Sequence, residues 1–130
     1  MREASDLRDF DGNLKPDIDI DFMVSKTCVW ARAQPVDKIV IVEAFQRLGH
    51  VVAMTGDGVN DTAALHGSDI GVAMGITGTE VAQAEADMIL LDDNFETIVC
   101  AVEEGRRIFK LISDFAVYNM CLNFTTIAVV

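Results

Sequence analysis

The residues best able to do chemistry in this 130-residue chain lie together in Thr55-Gly56-Asp57-Gly58-Val59-Asn60-Asp61. Asp57 and Asp61 are hard oxygen donors four positions apart, with the neutral amide of Asn60 between them, a set suited to Mg2+ that keeps part of its water. Gly56 and Gly58 remove side chains on either side of Asp57 and let a phosphate-sized ligand approach the backbone, so Thr55, Gly56, Asp57 and Gly58 form a candidate binding loop. A bare Gly-Asp-Gly is more often a turn with a capping aspartate. Here it follows directly on His50 to Met54 (HVVAM), a short β-branched run that reads as a strand buried on both faces. Ligands of open parallel sheets bind beyond the carboxyl ends of strands, which is where Asp57 is delivered.

Lys38 is the second candidate. It falls in the first turn of a helix opened by Pro35, where a lysine opposes the macrodipole, so it is expected to serve something other than helix stability. An ammonium reaching a phosphoryl group is such a use. Alone, a helical lysine is usually a solvated surface residue. Asp17-Ile18-Asp19-Ile20-Asp21 looks like a third site and is expected to be a decoy. No apolar strand precedes it, and as a calcium loop it has Phe22 at the sixth position and Cys28 at the twelfth. It reads as a solvated acidic loop.

The elements that must position these residues follow from periodicity. Residues 1–25 are polar, with Gly12, Asn13 and Pro16 as breakers, and read as an acidic loop leading into the fold. Thr27 to Ala31 is a short strand candidate. From Pro35, the residues Val36, Val40, Ile41, Ala44, Phe45 and Leu48 keep helical spacing until Gly49. Asp61 to Leu65 and Thr79 to Ala86 are helix candidates, and Ile70 to Met74 and Met88 to Leu91 are strands. Strands alternating with helices at this spacing imply βαβ crossovers and a parallel sheet, so the fold class is α/β, Rossmann-like in the broad sense. A long helix begins near Phe95. From Phe115 to Val130 no residue is charged, and Arg106, Arg107 and Lys110 lie just before, the arrangement expected on the cytoplasmic side of a membrane span. Sixteen residues fall short of the roughly 20 a span needs, so the run reads as a truncated one.

Composition narrows the partners. The net charge is −11, and 11 of the 21 acids but none of the 10 Lys and Arg lie between Gly49 and Gly105. Nucleic acid is thereby excluded as the main partner, since phosphate neutralisation needs clustered basic residues. Apart from Asp57 and Asp61, the acids of this stretch read as a solvated surface. Cys28, Cys100 and Cys121 have neither disulfide nor zinc spacing, and no secretory signal follows Met1.

ARAQPVDK (Ala31 to Lys38), TGDGVND, DIGVAMG (Asp69 to Gly75), DMILLDDNF (Asp87 to Phe95) and VEEGR (Val102 to Arg106) stand in an order and at separations that resemble P-type cation-transporting ATPases. The class containing the calcium and sodium/potassium pumps is the most similar, over roughly Val29 to Arg107. The resemblance implies that residues 26–112 are the C-terminal half of a phosphorylation domain with a haloacid-dehalogenase-type fold. It also implies that 113–130 begin the fifth membrane helix, with 1–112 cytoplasmic. By it, Asp57 binds Mg2+, Asn60 hydrogen-bonds phosphoryl oxygens, Asp61 holds the Mg2+ shell, and Lys38 contacts the phosphoryl group. ATP is the substrate, bound mainly by other parts. The implied partners are the nucleotide-binding, actuator and membrane domains of the same polypeptide, a transported cation and the lipid membrane.

The departures carry expectations of their own. The family's phosphorylated aspartate lies in a DKTGT string that does not occur here, so the chain alone is expected not to hydrolyse ATP. Where the family usually has a proline and lysines after its second aspartate, this chain runs Thr62-Ala63-Ala64-Leu65-His66-Gly67. Asn123 marks a possible ion path, while Thr126 stands where the calcium and sodium/potassium pumps carry an acid. Two other readings compete: a soluble phosphatase of the same fold, and a non-catalytic remnant.

Overall fold

The computed structural model describes residues 1–9 and 11–129. They divide into two units, Met1–Asp93 and one ending the chain from Asn94. In the first, strand β1 (Arg2–Glu3) is followed by a 3-10 turn at Ala4–Leu7, helix α1 (Asp17–Lys26), strand β2 (Trp30–Ala31) and helix α2 (Pro35–Arg47). β1 and β2 pair in parallel, Arg2 with Trp30 and Glu3 with Ala31.

The stretch expected to be a solvated acidic loop is therefore largely structured. Asp17 to Asp21 begins α1, and Ile20, Met23 and Val24 are buried against Leu7 and Ala44, with Trp30, Val40, Ile41 and Phe45 packed around them. Their i, i+3, i+4 spacing is helical. The Asp-Ile-Asp-Ile-Asp alternation hid it, because Ile18 faces solvent and the acids sit on the outer side. Asp17 and Asp19 also occupy the first turn, where negative charge favours the helix dipole. Each fully buried Leu, Ile or Val here contributes about 1.5–3 kcal/mol of transfer free energy, so this segment belongs to the core.

α2 follows the expected pattern. Pro35 occupies its first turn, the main-chain amide of Gln34 donates to Asp37 at 2.9 Å, and Gly49 ends the turn with φ +84°. The helix packs on α1 and also on helix α3 (Thr62–Gly67). Its ends, Val36 and Leu48, are exposed, and the buried positions lie between them.

Next come strand β3 (Ala53–Gly56), a 3-10 turn at Val59–Asp61, α3 (Thr62–Gly67), strand β4 (Ile70–Met74), helix α4 (Glu80–Glu85) and strand β5 (Met88–Leu90). The three strands form a parallel sheet in the order β3-β4-β5, with Thr55 opposite Val72 and Met74 opposite Leu90. The α/β class and the parallel sheet are as the periodicity implies. β4, in the middle, is buried from Gly71 to Met74. α3 and α4 pack against it and against each other.

β3 differs from its expected form. The HVVAM run is only half strand: Val51 is 80 % exposed, and pairing begins at Ala53. β3 is an edge strand of its sheet, and Ala53 is exposed with Met54 and Thr55 only half-buried, so the strand is not covered on both faces. The Thr27 to Ala31 strand likewise shortens to Trp30–Ala31.

The second unit is helix α5 (Phe95–Val129), 35 residues and roughly 50 Å long at 1.5 Å per residue. Phe109 and Phe115 on it are exposed, and Asn119 donates to the carbonyl of Phe115 in its own helix. The segment expected as a truncated membrane span is helical, but no helix of the described residues is long and apolar enough to cross a membrane.

Candidate functional site

β3 ends at Gly56, and the chain turns at Asp57 and Gly58 into the 3-10 turn that closes on Asp61, whose amide donates to the Gly58 carbonyl at 3.1 Å. This turn folds Asp61 back over the strand end. A Cβ on residue 56 would lie 2.6 Å from the Cβ of Asp61, so glycine is required there by the approach of Asp61. At Gly58 a Cβ meets nothing closer than 4.0 Å. The two glycines, expected to play one role, therefore play different ones: Gly56 admits a neighbouring side chain, and Gly58 leaves open space.

Asp61 is only 7 % exposed and receives the ammonium of Lys38 on its Oδ1. The structure thus joins two candidates that lie 23 positions apart. A charge this buried needs a partner, and Lys38 supplies it from the first turn of α2. That turn is held in place by a residue the sequence did not single out. Asp37, 3 % exposed, accepts from the guanidinium of Arg8 at 2.8 Å as well as from the Gln34 amide.

Asp57 and Asn60 are exposed, and Thr55 is half-buried on the strand. The main chain of Asp57 is fixed by the amide of Thr79, which donates to its carbonyl at 2.8 Å. No group of three or more acidic, His or Cys side chains that could hold a metal exists among the described residues. The donors present fit an ion that takes one or two carboxylates and keeps water, as Mg2+ does, and do not form an all-protein cage. Asn123 lies on α5 and is exposed.

Three of the acids expected to form a solvated surface also hold the sheet, although Asp69 and Asp87 remain exposed and Asp93 half-buried. Asp69 accepts from the Val52 amide and Asp87 from the Gly71 amide, each at 2.8 Å. Asp93 accepts from the amides of Gly75, Ile76 and Thr77. The Ile76 amide foremost, then the Thr77 amide and hydroxyl and the Gly75 amide, hold the Asp93 carboxyl below the ordinary carboxylate range against partial desolvation. Each of these acids stands at a strand end, where free amides need acceptors. Flanking position was the signal available in the sequence.

A parallel sheet with an exposed carboxylate at the carboxyl end of one strand, beside a lysine-paired aspartate, marks an α/β domain of the open-sheet kind, whose general ligand position is that strand end. The relatives say which. The chain is 56 % identical over 108 residues to the P-type sodium-transporting ATPase4 of Toxoplasma gondii, covering 83 % of this chain and 8 % of that protein. It is 50 % identical over 124 residues to the sodium/potassium-transporting ATPase subunit alpha-4 of Rattus norvegicus, 95 % of this chain and 12 % of that one. It is 52 % identical over 107 residues to calcium-transporting ATPase 1 of Schizosaccharomyces pombe, 82 % of this chain and 12 % of that one. By sequence the chain belongs to the P-type cation-transporting ATPases, and it spans about a tenth of the length of these relatives. A solved structure of the catalytic domain of the CPx-ATPase CopB-B matches with a TM-score of 0.54 at 33 % identity, over 68 % of this chain and 36 % of that one. No family model matches.

Proposed function

We propose that this chain supplies the Mg2+-binding and phosphoryl-binding part of the aspartyl-phosphate site of an ATP-driven cation pump, within a haloacid-dehalogenase-type phosphorylation domain. The observation that carries the reading is the Lys38–Asp61 pair set at the carboxyl end of β3, beside the exposed Asp57. Asp57 is the direct carboxylate ligand for Mg2+. Asp61, with one oxygen on Lys38, uses the other to orient metal-bound water. Asn60 donates its amide to phosphoryl oxygens. Thr55, Gly56 and Gly58 shape the loop around the ligand.

Lys38 contacts the phosphoryl group with the same ammonium that Asp61 holds. The pairing neutralises the buried carboxylate and leaves Asp57 as the local net negative charge. It also orders the lysine in advance, so less freedom is lost when a phosphoryl group arrives. Bound Mg2+ adds neutralisation of charge on the phosphoryl oxygens.

A phosphorylated aspartate and the nucleotide contacts come from other parts of the polypeptide, since no DKTGT string occurs in the chain. The open edge of β3 is where a further strand could bring a nucleophile beside Asp57. On this reading the 130 residues alone do not hydrolyse ATP, and Mg2+-dependent hydrolysis by the purified chain contradicts it. In the full-length protein the partners are the nucleotide-binding, actuator and membrane domains, the transported cation and the lipid membrane. Residues 1–112 lie on the cytoplasmic side, and Asn123, in 113–130, marks an ion path.

The test is orthophosphate binding in saturating Mg2+, measured by calorimetry on the chain and on Lys38→Gln. Loss of one charge-assisted contact weakens binding about tenfold or more. Equal binding by both removes Lys38 from the phosphoryl site.

A further inference from the structure

The loop after β4 is closed by a single carboxylate. Three successive amides converge on Asp93: those of Gly75 at 2.7 Å and Ile76 at 3.0 Å on Oδ1, and that of Thr77 at 2.7 Å on Oδ2, where the Thr77 hydroxyl also donates at 2.8 Å. Asp93 holds φ at +47°, a left-handed conformation uncommon outside glycine, which Asp and Asn enter more readily than other side chains. From the other side, the two N–H groups of Gln83 Nε2 are shared among the carbonyls of Met74, Gly75 and Gly78, which lie at 3.0 to 3.2 Å. Gly78 has no room for a side chain, because a Cβ there would fall 1.9 Å from the Met74 carbonyl oxygen. The loop is thus held from both sides, and its far end, the Thr79 amide, reaches the carbonyl of Asp57 at 2.8 Å.

We infer that Asp93 is a positioning residue for the site at the end of β3: by gathering the Gly75–Thr77 amides it fixes the loop whose Thr79 amide anchors the Asp57 main chain, and so sets where the Asp57 carboxylate is presented to a divalent cation. The inference rests on the reading of Asp57 as a Mg2+ ligand. A carboxylate accepting several N–H groups is a strong and directional anchor. Groups that orient a metal ligand from outside the first shell typically carry 10- to 100-fold of the metal affinity.

The test is an NMR comparison of the 130-residue chain with Asp93→Asn, Thr77→Val and Val24→Ala. Asparagine tolerates the positive φ, so the first variant removes the charge and one acceptor without adding backbone strain. Without ligand, the readouts are hydrogen exchange of the Thr79 amide and the amide signals of Asp57 and Gly58. Mg2+ is then titrated. Asp93→Asn is expected to speed Thr79 exchange and to weaken Mg2+ binding, each about tenfold, and to move the Asp57 and Gly58 signals. Thr77→Val, which removes one hydroxyl donor, is expected to give about threefold in the same direction. Val24→Ala lowers stability through the α1 core and is expected to leave the Asp57 signals and the Mg2+ affinity as in the native chain.

Asp57 signals and Thr79 exchange that ignore Asp93→Asn overturn the inference, and so does Val24→Ala if it moves the Asp57 signals equally. Should Asp93→Asn not fold, an unchanged Thr77→Val overturns it on its own. Should the native chain take up no Mg2+, the reading of Asp57 fails, while the ligand-free readouts still decide whether Asp93 positions it.

Discussion

Two neighbouring strands of one parallel sheet end in glycine-rich loops, and the two loops have opposite fates. At the end of β3, Thr55-Gly56-Asp57-Gly58 leaves the Asp57 carboxylate exposed and space beside Gly58. At the end of β4, Gly75-Ile76-Thr77-Gly78 directs its amides at Asp93, and the chain's own carboxylate takes the place an anion could occupy. Carboxyl ends of parallel strands are general ligand-binding positions. What separates the open loop from the closed one is whether the loop's polar groups are already satisfied from within. The satisfied loop also supports the open one, through the Thr79 amide on Asp57.

The comparison can be broken most severely at the closed loop. Gly78→Ala forces a Cβ against the Met74 carbonyl oxygen, 1.9 Å away. It is expected to cost about 3 kcal/mol or more, at or beyond the upper range for overpacking, read as a fall in the urea midpoint of the chain. Gly56→Ala is the next largest. The methyl meets Asp61 at 2.6 Å, so about 1–3 kcal/mol is expected, with displacement of the Lys38–Asp61 pair. Chemical-shift changes at Lys38 Nζ check it, and an undisturbed pair contradicts the close approach.

Acid separates the two loops more gently. The folded-state pKa of Asp93 is depressed, so its contribution to stability is fully present above the unfolded value of about 3.9 and is lost as pH falls through the lower folded value. Unfolding free energy followed downward from about pH 5 is expected to decline, and Asp93→Asn to decline less over the same window. The smallest effect belongs to Gly58→Ala. Gly58 has φ −117° and no close neighbour, so the change is expected to be near neutral or to stabilise by about 0.4–1 kcal/mol.

How much of this the sequence disclosed depended on the kind of interaction. Ile70 to Met74 was legible to the residue and the helix from Pro35 at its start, with an end one residue short of Leu48, because β-branched runs, Pro and Gly act locally. The place of the TGDGVND loop at a strand end was legible for the same reason, since it directly follows the short apolar run that becomes β3. α1 was not, since its apolar Ile20, Met23 and Val24 are interleaved with acids and depend on Leu7 and Ala44 for burial. The pairing of Lys38 with Asp61, and of Arg8 with Asp37, spans 23 and 29 positions and follows from packing that no periodicity records. Asp69 and Asp87 are exposed as expected, but their amide contacts and those of Asp93 were hidden, because a carboxylate that caps strand amides has the same composition as one in water.

The central claim is that the β3 loop, and not the β4 loop, receives the cation through Asp57. Titrating Mg2+ into the isotope-labelled chain and following the amides of 56–61 and 75–79, for the native sequence and for Asp57→Asn, tests it directly. The account predicts saturable changes centred on 56–61 that fall at least tenfold in affinity in Asp57→Asn, about what losing a charged ligand brings. No saturable change in the native chain, or an identical titration in Asp57→Asn, contradicts it.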